Sequence, residues 1–69
     1  MAENNATFTV QGVESEDDVR EIEEGLADVD GVMGAEIDRS GDAEVKYDYD
    51  LLSEERIKIT VREMGYEVE

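Results

Sequence analysis

From Ala6 to Gly12 apolar and polar side chains alternate, with Phe8 and Val10 on one side and Thr7, Thr9 and Gln11 on the other. Period-two alternation with β-branched and aromatic residues predicts a strand with one buried face. The period then lengthens. Val19, Ile22, Leu26 and Val29 are spaced three, four and three apart, which places them on one stripe of an amphipathic helix. Ser15 stands where that helix should begin, followed by Glu16, Asp17 and Asp18. A serine hydroxyl accepts from a first-turn N–H, and Asp18 three residues on has the spacing to reach back to the N–H of Ser15. The three acids also suit the positive end of the helix dipole. Gly25 interrupts the stripe at a cost of about 1 kcal/mol relative to alanine, so a close approach to the sheet is expected there.

Asp30-Gly31 reads as a turn, and Val32 to Asp38 as a second strand with Ala35 and Ile37 inward. Ser40-Gly41-Asp42 supplies a hairpin turn. A third strand follows, with Ala43, Val45 and Tyr47 opposite Glu44 and Lys46. Ser53 caps a second helix, with Leu52 and Ile57 at the positions of a hydrophobic staple and Ile57, Val61 and Met64 as its stripe. Residues 57–61 also alternate with period two, a strand pattern. The cap, the staple and the stop at Gly65 favour helix. Tyr66 to Glu69 predicts a short last strand. The order strand, helix, strand, strand, helix, strand predicts an α+β, ferredoxin-like βαββαβ domain. Two helices should cover one face of a four-stranded antiparallel sheet. Residues 1–5 are polar and expected to be disordered, leaving 6–69 as a single domain.

Composition changes what such a domain can do. Its 69 residues contain no cysteine and no histidine. Disulfides, a zinc site of the usual ligands, a thiolate nucleophile and a histidine base are excluded. Twenty-one acidic residues against six basic ones give a net charge of −15. Nucleic acid and anionic membranes are therefore not expected as partners. No apolar run is long enough to span a bilayer and no secretory leader is visible, so a cytoplasmic location is expected. The acids are dispersed along the chain and only Lys46 and Lys58 are lysines. Such a surface is expected of a protein from a salt-loving organism, with an ordinary acidic protein as the alternative, and stability should rise with salt.

Several segments together resemble the heavy-metal-associated domain, found in copper chaperones and at the cytosolic N-termini of copper-transporting ATPases. They are Thr9-Val10-Gln11-Gly12-Val13, Ile22-Glu23-Glu24-Gly25-Leu26, Val29-Asp30-Gly31-Val32, Val45-Lys46-Tyr47-Asp48 and Met64-Gly65-Tyr66-Glu67-Val68, covering about residues 6 to 68. In that family Gly-Met, one residue and then Cys-x-x-Cys follow the first strand, and two thiolates hold copper(I). The resemblance puts Gly12 at the glycine, Val13 at the methionine, Ser15 and Asp18 at the two cysteines, and Tyr66 at the aromatic residue near the metal loop. Hydroxyl and carboxylate oxygens are hard donors and do not reproduce a two-sulfur site for a soft ion. A helix cap in place of a metal clasp is expected, with no cofactor and no metal. The resemblance implies a non-catalytic interaction module that docks, as a monomer, on a related domain or a transport ATPase through Val13, Glu16, Asp17, Arg20 and Tyr66. Metal homeostasis through other ligands and an ACT-like small-molecule regulator are the alternatives.

Other chemistry is weighed against plain structural roles. Met1, Met33 and Met64 are expected in packing rather than on copper. Asp28-Val29-Asp30-Gly31 lacks the later ligands of a calcium loop. Glu23-Glu24, Glu54-Glu55 and Asp48-Tyr49-Asp50 offer paired carboxylates, but no pocket is expected around them. Acylphosphatases share the fold and use an arginine-bearing phosphate loop, whereas here Glu14 and Glu16 occupy that loop. No enzyme is expected. Arg20, Arg39, Arg56 and Arg62 are expected in surface ion pairs.

Overall fold

A computed structural model describes residues 2–69. The elements are β1 (Glu3–Gln11), α1 (Glu16–Ala27), β2 (Val32–Ile37), β3 (Asp42–Asp48), α2 (Glu54–Glu63) and β4 (Glu67–Val68). The sheet order is β2-β3-β1-β4, with every neighbouring pair antiparallel. This is the ferredoxin-like arrangement that the pattern predicts. Ala6, Phe8 and Val10 of β1, Ile37 of β2, and Ala43, Val45 and Tyr47 of β3 are buried in one cluster with Ile22, Leu26, Ile57 and Val61 of the helices. The other sheet face carries Asn5, Thr7, Glu44 and Lys46 and is open to water.

The first strand starts three residues earlier than the hydrophobic pattern indicates. Glu3, Asn4 and Asn5 pair with Asp48, Tyr47 and Lys46. Glu3 lies 3.6 Å from the Lys46 ammonium, Asn4 Nδ2 donates to the Tyr47 hydroxyl at 3.5 Å, and the Tyr49 N–H donates to the Ala2 carbonyl at 2.8 Å. Partner groups on β3 therefore bring residues 3–5 into the sheet. Met1 lies outside the described residues.

Gly25 also differs from expectation. A Cβ there would collide with the terminal methyl of Met64, and would stand 2.9 Å from its sulfur. The glycine makes room for the end of α2, not for the sheet. Met64 thus packs as expected. Met33 does not: β2 carries a bulge between Val32 and Gly34, and Met33 is left 48% exposed. Ile59 is half-buried on α2, and residues 57–61 are helical throughout.

The β2–β3 turn is built on Asp38. Its Oδ1 accepts from the Ser40 N–H at 3.0 Å, the Ser40 hydroxyl at 2.5 Å and the Asp42 N–H at 3.1 Å. The Ser40 hydroxyl, with the backbone donors behind it, holds the Asp38 carboxyl below its ordinary value of 3.8. Gly41 has φ +100°, and a Cβ there would strike the Val10 carbonyl oxygen. The hairpin folds back onto β1 only because that residue has no side chain. No described helix is long and apolar enough to cross a membrane.

Candidate functional site

The loop from Gly12 to Ser15 joins β1 to α1, and Tyr66 precedes β4, which pairs with the last residues of β1 through Val10–Val68 and Gln11–Glu67. Those pairings bring loop and tyrosine together. Gly12 turns the chain with φ +96°, and a Cβ built on it would touch the Tyr66 ring at 3.7 Å. Gly12, Ser15, Asp18 and Tyr66 form one cluster.

Ser15 is the N-cap of α1. It has extended backbone (φ −152°, ψ 170°), and its Oγ accepts from the Asp18 N–H at 3.4 Å. The return bond differs from a capping box. Asp18 Oδ2 accepts from the N–H of Glu14 at 2.9 Å rather than from that of Ser15. One extra residue is thereby drawn into the cap. The other carboxylate oxygen, Oδ1, accepts from the Tyr66 hydroxyl at 3.1 Å. Asp18 therefore ties the loop, the helix and the approach to β4 together.

The Tyr66 hydroxyl also lies 3.1 Å from Glu21 Oε1. It has one hydrogen, so it donates to one carboxylate at a time. Loss of that hydrogen would set a phenolate beside two carboxylates. Partial burial first, then the bonds to Asp18 and Glu21 and their charge, push the Tyr66 phenol from 10.0 up to about 12. A raised acid pKa stabilises the fold fully below the unfolded value near 10, and that contribution is lost as pH rises toward 12. Wild-type stability should accordingly fall across that window more steeply than that of Tyr66→Phe. Parallel denaturation curves for the two proteins through the window would refute the latch.

Glu16, Asp17 and Arg20 are exposed on the helix beside this cluster. Val13 is half-buried and packs against the core, so it offers only part of its side chain to a partner. The expected ion pair of Arg20 does not form: the described ion pairs are Lys46–Glu3, Lys58–Glu54 and Arg62–Glu55, which also leaves out Arg39 and Arg56. In each carboxylate pair at least one member has a structural partner. Glu23 Oε2 accepts from the Ile37 N–H at 3.1 Å, Glu54 and Glu55 meet Lys58 and Arg62, and Asp48 Oδ1 accepts from the Asp50 N–H. Glu21, and the bond that Glu23 makes to Ile37, escaped the sequence reading because their partners lie on other elements.

The donor set does not fit copper(I). Ser15 offers a hydroxyl and Asp18 a carboxylate, both hard, and their oxygens already accept hydrogen bonds. Among the described residues no three acidic side chains converge in a way that could hold a metal ion.

The CopZ metallochaperone superposes with a TM-score of 0.91 at 24% identity, over 96% of this chain and 100% of that one. A copper binding domain from HMA7, a P-type ATPase, gives 0.90 at 29% identity, over 94% of this chain and 89% of that one. The chain has the fold of the heavy-metal-associated domain. A third heavy-metal-associated neighbour is the N-terminal domain of a potential copper-translocating P-type ATPase from Bacillus subtilis, described in its Cu(I)-loaded state. It gives a TM-score of 0.89 at 26% identity, over 100% of this chain and 86% of that one. No family model and no curated protein matches the sequence. The heavy-metal-associated fold is thus present without a cysteine anywhere in the chain.

Proposed function

We propose that this domain is a non-catalytic protein-interaction module on a copper-carrier scaffold, in which a hydrogen-bonded latch stands where the family has its thiolate clasp. The observation behind this reading is Asp18. Its two oxygens accept from Glu14 and Tyr66, while Ser15 accepts from the Asp18 N–H, so both ligand positions serve the loop itself. A metal holds such a loop only when loaded; this latch holds it at all times. The exposed surface around it, Glu16, Asp17 and Arg20 with the accessible parts of Val13 and Tyr66, is the docking face. The partner is a related heavy-metal-associated domain, as in the transport ATPases to which two of the neighbours belong, and the domain works as a monomer in the cytoplasm.

The test is an NMR titration of the labelled domain in concentrated salt with a copper-binding domain of a P-type ATPase. Shifts confined to residues 13–20 and 66 are expected. Absence of any localised shift sinks the reading. Titration with Cu(I), zinc and nickel addresses the metal-homeostasis alternative, which requires localised shifts around residues 12–18 and 66 at micromolar metal.

A further inference from the structure

Three large apolar side chains stay exposed among the described residues: Met33 at 48%, Tyr49 at 57% and Leu51 at 69%. Tyr49 and Leu51 share one turn at one end of the molecule, and Met33 lies on the open sheet face beside Asn5, Gly34 and Lys46. The Asp48 N–H donates to the Gly31 carbonyl at 2.8 Å, which sets the start of β2 beside the end of β3. Met33 lies two residues beyond Gly31, and Tyr49 and Leu51 lie one and three residues beyond Asp48. Glu3, the first residue of β1, pairs with Asp48 at this same end. The Ser15 loop follows the other end of β1, and the nine residues of that strand span roughly 30 Å.

The turn that carries Tyr49 and Leu51 is held rigidly. The Tyr49 N–H donates to Ala2 at 2.8 Å, and the N–H groups of Leu51 and Leu52 donate to the Asp48 carbonyl at 3.1 and 3.0 Å. The Asp48 side chain accepts from the Asp50 N–H at 2.9 Å. Leu52 packs against the core, while Leu51 next to it faces water. A fixed turn that holds apolar groups in solvent loses little conformational freedom on binding. In a chain this acidic, an exposed apolar knob marks a contact surface.

Charge selects the occupant. Asp30, Asp48 and Asp50 frame the knob, and neither residues 28–32 nor residues 47–53 include a lysine or arginine. The nearby Lys46 is paired with Glu3. A second copy of the chain would set this acidic rim against itself, and an anionic bilayer would be repelled. We propose that residues 48–51 are a docking knob for a cationic amphipathic protein segment: apolar side chains against Tyr49 and Leu51, Lys or Arg against Asp30, Asp48 and Asp50. This surface is separate from the Ser15–Tyr66 face, so the domain would have two contact ends.

The probes are a synthetic amphipathic peptide of leucine and lysine and its leucine–glutamate counterpart, each titrated at the lowest salt at which the chain is folded, so that charge still distinguishes them, into the labelled full chain and into a Tyr49→Ser, Leu51→Ser double variant. The leucine–lysine peptide should shift the amides of residues 48–52, with affinity falling at least about tenfold in the variant, whose remaining spectrum reports its fold. The proposal is overturned by shifts spread over the acidic surface, by equal affinity of variant and natural chain, by equal binding of the acidic peptide, or by self-association through these amides in sedimentation and NMR. Because residues 13–20 and 66 are read separately, failure here leaves the Ser15–Tyr66 face to its own test.

Discussion

A Ser15→Cys, Asp18→Cys double variant is expected to bind one Cu(I) ion at least about 10⁴-fold more tightly than the natural chain. Ser15 is the N-cap of α1 and Asp18 lies three residues on, so the two side chains share one face of the first turn. Thiolates there would meet the free N–H groups and positive dipole of the helix end, which favour the ionised form. Glu14, Glu16 and Asp17 oppose that effect, but all three are exposed and are screened in concentrated salt. The substitutions also remove the cap and the Asp18 bonds to Glu14 and Tyr66, costing roughly 1–2 kcal/mol, which is a second reason to measure at high salt. Competition against a chromophoric Cu(I) chelator gives the affinities, with the two single variants as controls. If the double variant binds no better than the natural chain, the loop has lost the carrier geometry as well as the sulfur. If the natural chain already competes as strongly, the domain is a metal carrier by other ligands and the interaction reading fails.

The alternating strands and the two capped helices were legible because each rests on contacts within a few residues. Ser15 and Ser53 both cap as their positions predict, accepting at 3.4 and 3.1 Å. Long-range contacts were not legible. Nothing in Glu3-Asn4-Asn5 signals a strand; its partners are Asp48, Tyr47 and Lys46, more than forty residues away. Gly25 announces a close approach but not to what, and Met64 supplies the answer from another helix. At the site, the sequence placed Gly12, Ser15, Asp18 and Tyr66 together through a family correspondence. What it could not show was that the Tyr66 hydroxyl sits between Asp18 and Glu21 and donates to one or the other, because that contact depends on how β4 seats beside β1. Local chemistry predicted a cap; tertiary packing extended it into a latch.

Raising KCl from about 0.05 M to about 2 M is expected to increase the stability of the natural chain by on the order of 5 kcal/mol and its Tm by roughly 20 °C or more. Folding compresses a charge of −15 into a body with a radius of gyration of 10.9 Å, whereas an unfolded chain of this length extends to about 25 Å. Two carboxylates about 10 Å apart in water repel by roughly 0.4 kcal/mol, and the folded surface has many such neighbours. Three described ion pairs relieve little of this, since exposed pairs contribute about 1 kcal/mol at most. The Debye length shrinks from above 10 Å to below 3 Å over this salt range, removing most of the repulsion that the compact state alone experiences. Helix ends identify which carboxylates matter most. Glu24 and Asp28 lie at the C-terminus of α1, whose last turn has no basic residue, and Glu63 is the last residue of α2. All three face the negative end of a dipole. Replacing them as Glu24→Gln, Asp28→Asn and Glu63→Gln should raise the melting temperature at low salt and flatten the salt response. Circular dichroism melts of both proteins at the two salt concentrations decide the matter. An identical cooperative melt of the natural chain at low and high salt would show that its charge does not limit its folding. A salt response unchanged in the triple variant would assign the effect to stronger apolar burial rather than to screening.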